Sequence, residues 1–122
     1  MTKPNIVLIM ADDLGYGDIG CFGNRTIQTP HIDRLAANGL TFTDYHSNGA
    51  VCTPTRAALL TGRYQQRCGL EGVIGVRERE RGLDPAAEHC LAHTLRDSGY
   101  ATGLLGKWHL GFRPEYNPVH HG

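Results

Sequence analysis

The sequence predicts an α/β layered fold with a mainly parallel sheet. Three observations carry that prediction. A continuous apolar run rich in branched residues lies near the start of the chain. Strand-like and helix-like segments then follow in the order strand, helix, strand, helix, helix, strand. Polar clusters stand directly after strand-like runs, where open α/β sheets place their sites.

Residues 5–10, NIVLIM, have the pattern of a strand covered on both faces, and the run ends at Asp12 and Asp13. Thr29 and Pro30 read as an N-cap with proline at the first helical position. Ile32, Leu35 and Ala36 share one helix face, and Gly39 closes the helix. Residues 40–46, LTFTDYH, alternate as a second strand should, and Ser47, Asn48 and Gly49 mark a loop. Thr53 and Pro54 begin another helix that Gly62 terminates in the left-handed conformation, which sets Cys52 at a helix N-terminus. Residues 69–83 contain RERER and read as a solvated hairpin or loop. A helix over 85–98 presents Leu91 and Leu95, ends before Gly99, and leads into the strand-like YATGLL that starts at Tyr100.

Length and composition bound the function. A chain of 122 residues suits one small domain with a modest core. Twelve Lys plus Arg balance twelve Asp plus Glu, so no net field draws nucleic acid or an anionic membrane to the surface. The longest apolar run, residues 6–10, is too short to span a bilayer or to form the core of a secretory signal. No transmembrane segment and no export leader are expected from this sequence. Cys21, Cys52, Cys68 and Cys90 show no CxxC spacing and suggest neither a zinc site nor a disulfide framework. Apart from Cys52 they are expected to be mostly buried thiols.

Adjacent carboxylates such as Asp12 and Asp13 repel unless a cation or backbone donors neutralise them. Oxygen ligands of this kind suit Ca²⁺ or Mg²⁺. Taken alone, the pair reads more readily as a solvated turn ahead of Gly15 and Gly17. Cys52 stands where helix N–H groups concentrate positive potential, with Arg56 one turn on, and is a candidate nucleophile. Cysteine phosphatases place five residues between Cys and Arg, whereas three separate Cys52 from Arg56. Cys90 and Arg96 have the five-residue gap, but the intervening LAHTL is helical; Cys21 and Arg25 repeat the shorter gap without a proline. Both pairs read as structural. Lys107 and His109 follow the last strand-like run as a cation and an imidazole, although a lone histidine beside Trp108 is more often a structural residue. His89 and His93 are spaced i and i+4, but Cys90 occupies the place of the zincin glutamate, so they read as surface residues on a helix.

Together, Cys52-Thr53-Pro54-Thr55-Arg56 with Leu59, Leu60, Thr61, Gly62 and Arg63 closely resembles the signature of the type I sulfatases, formylglycine-dependent, arylsulfatase-like enzymes of the alkaline phosphatase-like superfamily. Gly99-Tyr100-Ala101-Thr102 followed by Gly106-Lys107-Trp108-His109 is similar to a second signature, with Leu105 where a smaller or β-branched residue is usual. NIVLIMADDLGYGD resembles the family's metal-binding strand. The stretch FRPEYNP resembles arylsulfatase A and galactosamine-6-sulfatase relatives.

The resemblance implies a three-layer alkaline phosphatase-like fold, of which residues 1–122 are the N-terminal part of the catalytic domain. It implies hydrolysis of a sulfate ester, on an aryl, glycan or lipid substrate. Cys52 would be oxidised by the formylglycine-generating enzyme, one hydroxyl of the hydrated aldehyde would attack sulfur as the alcohol or phenol of the ester departs, and deprotonation of the second would later expel sulfate by carbon–oxygen cleavage and regenerate the aldehyde. Asp12, Asp13 and modified Cys52 would ligate Ca²⁺, or Mg²⁺ in its place. Arg56 would stabilise the hydrated aldehyde, Lys107 would bridge sulfate and nucleophile, and His109 would accept the proton of the diol. Two alternatives stand beside this reading: hydrolysis of phosphonates or phosphate diesters by the same machinery, and a catalytically silent fragment.

Overall fold

Helices form where the sequence supplies their ends. The structure is a computed structural model that describes residues 3–122. Its chain divides into two compact units, Met1–Tyr45 and His46–Gly122. Among the described residues, no helix is long and apolar enough to cross a membrane.

In the first unit, helix α1 spans Pro30–Asn38, with Thr29 at the N-cap and Gly39 at the C-cap, as the sequence predicts. The Thr29 hydroxyl makes tertiary bonds: it donates to Asp33 Oδ1 (2.9 Å) and accepts from the Gly20 amide (2.7 Å). Asp33 Oδ1 also accepts from the Cys21 amide at 2.7 Å, so the start of α1 fastens the short 3₁₀ turn Gly20–Phe22. Phe22 stacks on Tyr16 with ring centroids 4.1 Å apart.

The second unit is built around helix α2, Cys52–Thr61. It opens one residue earlier than the sequence suggests, so Cys52 is its first residue. It stops at Gly62 (φ 66°, ψ 17°), whose amide bonds the Ala58 carbonyl. Ala57 packs into a core with Leu70, Ile74, Leu83, Cys90 and Leu110, flanked by Leu60, Cys68 and Trp108. The RERER stretch is exposed as expected, yet the loop around it delivers Leu70, Ile74 and Leu83 to the core. Glu88, only 7% exposed, is neutralised by Arg63 Nη1 at 2.7 Å, the partner a buried carboxylate requires.

The structure overturns several expectations. Among the described residues no strand is formed, and one isolated antiparallel bridge joins Gly82 to Gly111. The segments 5–10, 40–46 and 100–105 therefore lack the parallel sheet expected of them. Parallel strands pair only across long connections, and none of these runs finds such a partner within its unit. The first run leaves both faces bare, with Val7 81% and Ile9 82% exposed, and Ile6 and Leu8 each 55%.

The helix expected over 85–98 is shorter: α3 spans Leu91–Asp97. Its expected first turns are taken by a separate turn in which the Asp84 carbonyl accepts from the Ala87 and Glu88 amides, and Asp84 Oδ1 accepts from the Ala86 amide. His89 thus lies before the helix, with its ring stacked on His93 at 5.0 Å. Leu91 is exposed, and Leu95 is half-buried. Of the cysteines expected to be buried, Cys90 is, Cys68 is half-buried and Cys21 is exposed. Burial pushes the Cys90 thiol up to about 11, which keeps it protonated and unreactive.

Gly111 is required by its conformation and by its neighbour. Its φ is 133°, and a Cβ there would collide with the Cβ and ring of Tyr116. Gly111→Ala should lower stability by about 2–4 kcal/mol through backbone strain and overpacking. Gly72→Ala, where a Cβ meets nothing within 4 Å, should change it by less than about 0.5 kcal/mol. Urea midpoints of the whole protein check the difference, and equal midpoints for the two variants would contradict it.

Candidate functional site

The first turn of α2 is anchored from both sides. On one side, the loop before it bonds back to the helix: the Thr55 hydroxyl donates to the Gly49 carbonyl at 2.8 Å, as does the Ser47 hydroxyl at 2.9 Å. Gln65 Nε2 donates to the Asn48 carbonyl at 2.7 Å. The N-cap is Val51, which offers no side-chain acceptor, so the first amides of α2 carry no side-chain cap. A helix start of that kind favours negative charge nearby.

On the other side lies the segment after the last extended run. Lys107 Nζ donates to Cys52 Sγ at 3.2 Å. Arg56 Nη1 donates to the Lys107 carbonyl at 2.7 Å. The Thr53 hydroxyl donates to the His109 carbonyl at 2.9 Å. Cys52, Arg56 and Lys107, each singled out by the sequence, are therefore joined directly, and His109 is tied to the same helix turn through its backbone. Arg56 grips the main chain of Lys107, a contact that sequence reasoning does not foresee.

His109 has φ 58°, a left-handed conformation that is uncommon for a residue with a side chain. Its Nε2 lies 3.1 Å from the Ile74 carbonyl. A carbonyl only accepts, so this pairing assigns a proton to Nε2 and makes Nδ1 the lone-pair nitrogen whenever the ring is neutral. Nδ1 is buried and has no hydrogen-bond partner among the described residues. Trp108, between Lys107 and His109, donates from Nε1 to the Tyr116 carbonyl at 2.8 Å, and the Tyr116 hydroxyl donates to the Glu80 carbonyl at 3.0 Å. The 113–117 stretch thus braces the segment that carries Lys107 and His109.

In the other unit, Asp12 and Asp13 follow the extended apolar run, and both are exposed. Asp13 has φ 57°, in the left-handed region that aspartate tolerates better than most residues. That reversal ends the extended run at the pair of carboxylates. Both are hard oxygen donors, a chemistry that fits Ca²⁺ or Mg²⁺ and not a soft metal.

Sequence reasoning misses the connecting roles of Thr53, Ile74 and Tyr116. Thr53 and Tyr116 lie within stretches that carry the resemblance, but nothing in their spacing marks a hydrogen-bonding role. Ile74 acts through its backbone, which no side chain advertises.

The family model described as Sulfatase matches residues 4–120. The chain is 47% identical over 132 residues to steryl-sulfatase of Homo sapiens, covering 99% of this chain and 22% of that protein. It is 52% identical over 121 residues to arylsulfatase A of Homo sapiens, covering 98% of this chain and 24% of that protein. Among solved structures, the crystal structure of Ps i-CgsB is similar with a TM-score of 0.93 and 42% identity, over 99% of this chain and 27% of that one. The chain thus spans less than a quarter of the length of these two human relatives. With the matched model covering nearly all of it, this chain belongs to the sulfatase family.

Proposed function

We propose that the protein containing this chain is a sulfuric ester hydrolase whose nucleophile is a formylglycine made from Cys52. Residues 1–122 would form the N-terminal part of a catalytic domain of the three-layer alkaline phosphatase-like type, with a mainly parallel sheet. The observation that carries the reading is the 3.2 Å contact from Lys107 Nζ to Cys52 Sγ. It sets a cation on the atom that an oxygen would replace, at an N-terminal helix turn already suited to an anion.

Formylglycine supplies a hydrated aldehyde as nucleophile, and a divalent cation supplies Lewis-acid neutralisation of the sulfate oxygens. Asp12 and Asp13 are the proposed cation ligands, with an oxygen at residue 52 as the third. A thiolate there would suit a soft metal, whereas oxygen completes a hard donor set. The maturation partner is a formylglycine-generating enzyme, and the substrate is an aryl, glycan or lipid sulfate.

The chain's own residues then divide the work. Lys107 holds the oxygen of residue 52 and, as a fixed cation, the charge of the sulfate. Arg56 keeps Lys107 in place through its carbonyl, and its guanidinium adds positive charge beside the hydrated aldehyde. His109, whose buried Nδ1 has no hydrogen-bond partner among the described residues, is the proposed acceptor of a proton at that atom when sulfate leaves.

Cys52→Ala should lower kcat on 4-nitrophenyl sulfate by about three orders of magnitude or more. Turnover that survives in that variant would refute the reading, and faster turnover of phosphonate or phosphate diesters by the unsubstituted protein would move it to those substrates. Lys107→Ala should cost about 10²- to 10³-fold in kcat, the scale of losing one preorganised charge; a change confined to KM would contradict its role on the nucleophile. Removal of divalent cations by chelation should abolish turnover, and Ca²⁺ or Mg²⁺ should restore it. Full activity in the metal-free protein, measured alongside elemental analysis, would remove Asp12 and Asp13 from the mechanism.

A further inference from the structure

Thr53 is 0% exposed, yet it carries a hydroxyl. That hydroxyl donates to the His109 carbonyl at 2.9 Å and accepts from the Ile74 amide at 3.2 Å. The Ile74 carbonyl in turn receives His109 Nε2 at 3.1 Å. Residues 53, 74 and 109 therefore close a ring of hydrogen bonds in which the amide and the carbonyl of Ile74 fix, through two different groups, the backbone and the imidazole of one histidine. The ring reaches 56 and 21 residues along the sequence from Thr53.

His109 needs such support. Its left-handed backbone (φ 58°) is disfavoured for a residue with a Cβ and persists only where its surroundings over-determine it. Gly106 (φ 103°) and Gly111 (φ 133°) flank it, so the turn has no regular ladder to hold it in place. Thr53 is also the residue next to Cys52 on the first turn of α2. One buried hydroxyl thus links the backbone that carries the nucleophile to the backbone that carries the imidazole.

We propose that Thr53 is a positioning residue: through the His109 carbonyl and the Ile74 amide it fixes the placement and tautomer of the His109 ring relative to residue 52. The inference rests on the sulfatase reading for its catalytic consequence, but not for the structural coupling. Valine matches threonine in shape and lacks both hydrogen bonds, whereas serine keeps them.

The test uses the whole protein as the unsubstituted sequence, Thr53→Ser and Thr53→Val, with Thr53→Ala as a second hydroxyl-free variant should the valine protein fail to fold. Aldehyde content at residue 52 is measured by peptide mass and used to normalise kcat on 4-nitrophenyl sulfate. The His109 tautomer is read from ¹⁵N-histidine spectra. The expected result is a fall in kcat per aldehyde of about tenfold to hundredfold without the hydroxyl, an unchanged KM, loss of the single Nε2–H signature of His109, and rescue of both by serine. Unchanged kcat per aldehyde together with an unchanged His109 spectrum in the hydroxyl-free variant would overturn the proposal, as would a serine variant as impaired as the valine one. A His109 spectrum that depends on the hydroxyl in a protein with no sulfatase turnover would support the coupling and refute the sulfatase reading.

Discussion

The docking of one short segment, residues 106–111, onto the first turn of α2 is the constraint on which the site depends. Three side chains at the start of that helix make the attachment: Arg56 takes the Lys107 carbonyl, Thr53 takes the His109 carbonyl, and Cys52 receives the Lys107 ammonium. These contacts join residues more than fifty positions apart. They hold the Lys107 ammonium and the His109 backbone against the helix start through side-chain hydrogen bonds, and the isolated Gly82–Gly111 bridge pins the far end of the segment. The core lies directly beneath, since Ile74 and Leu110 are fully buried and both neighbour the bonded backbone.

Much of the helical part of this arrangement is legible in the sequence, because end signals are local chemistry. Thr29 with Pro30, Gly39 and Gly62 set helix limits that the backbone reproduces within a residue. The 85–98 region departs from its pattern for an equally local reason: Asp84 captures the following amides in its own turn and delays the helix to Leu91. Of the proposed site, Cys52, Arg56 and Lys107 are legible from the resemblance, and the structure joins them. The connecting role of Thr53 is not, because it depends on which backbone groups lie overhead, and the sequence does not record that.

The core is the least legible feature. A loop dense in glycine and charge reads as solvated, and its RERER stretch is, yet Leu70, Ile74 and Leu83 within the same loop fill the interior. Periodicity cannot reveal such residues, since an irregular loop presents side chains at no fixed interval. The expected strands illustrate the opposite case. Their apolar patterns are strong, but a parallel strand is defined by partners elsewhere in the chain, and the bare faces of residues 6–9 keep the pattern without the pairing. Contiguous apolar surface of that kind marks a place suited to cover by other protein segments.

Everything proposed for catalysis turns on the atom attached at residue 52, where Lys107 now meets sulfur. The most direct measurement is the mass of the peptide containing residue 52, taken from active whole protein produced with a competent maturation system. The predicted result is an aldehyde in place of the thiol, in proportion to turnover. An unaltered cysteine throughout fully active material would contradict it.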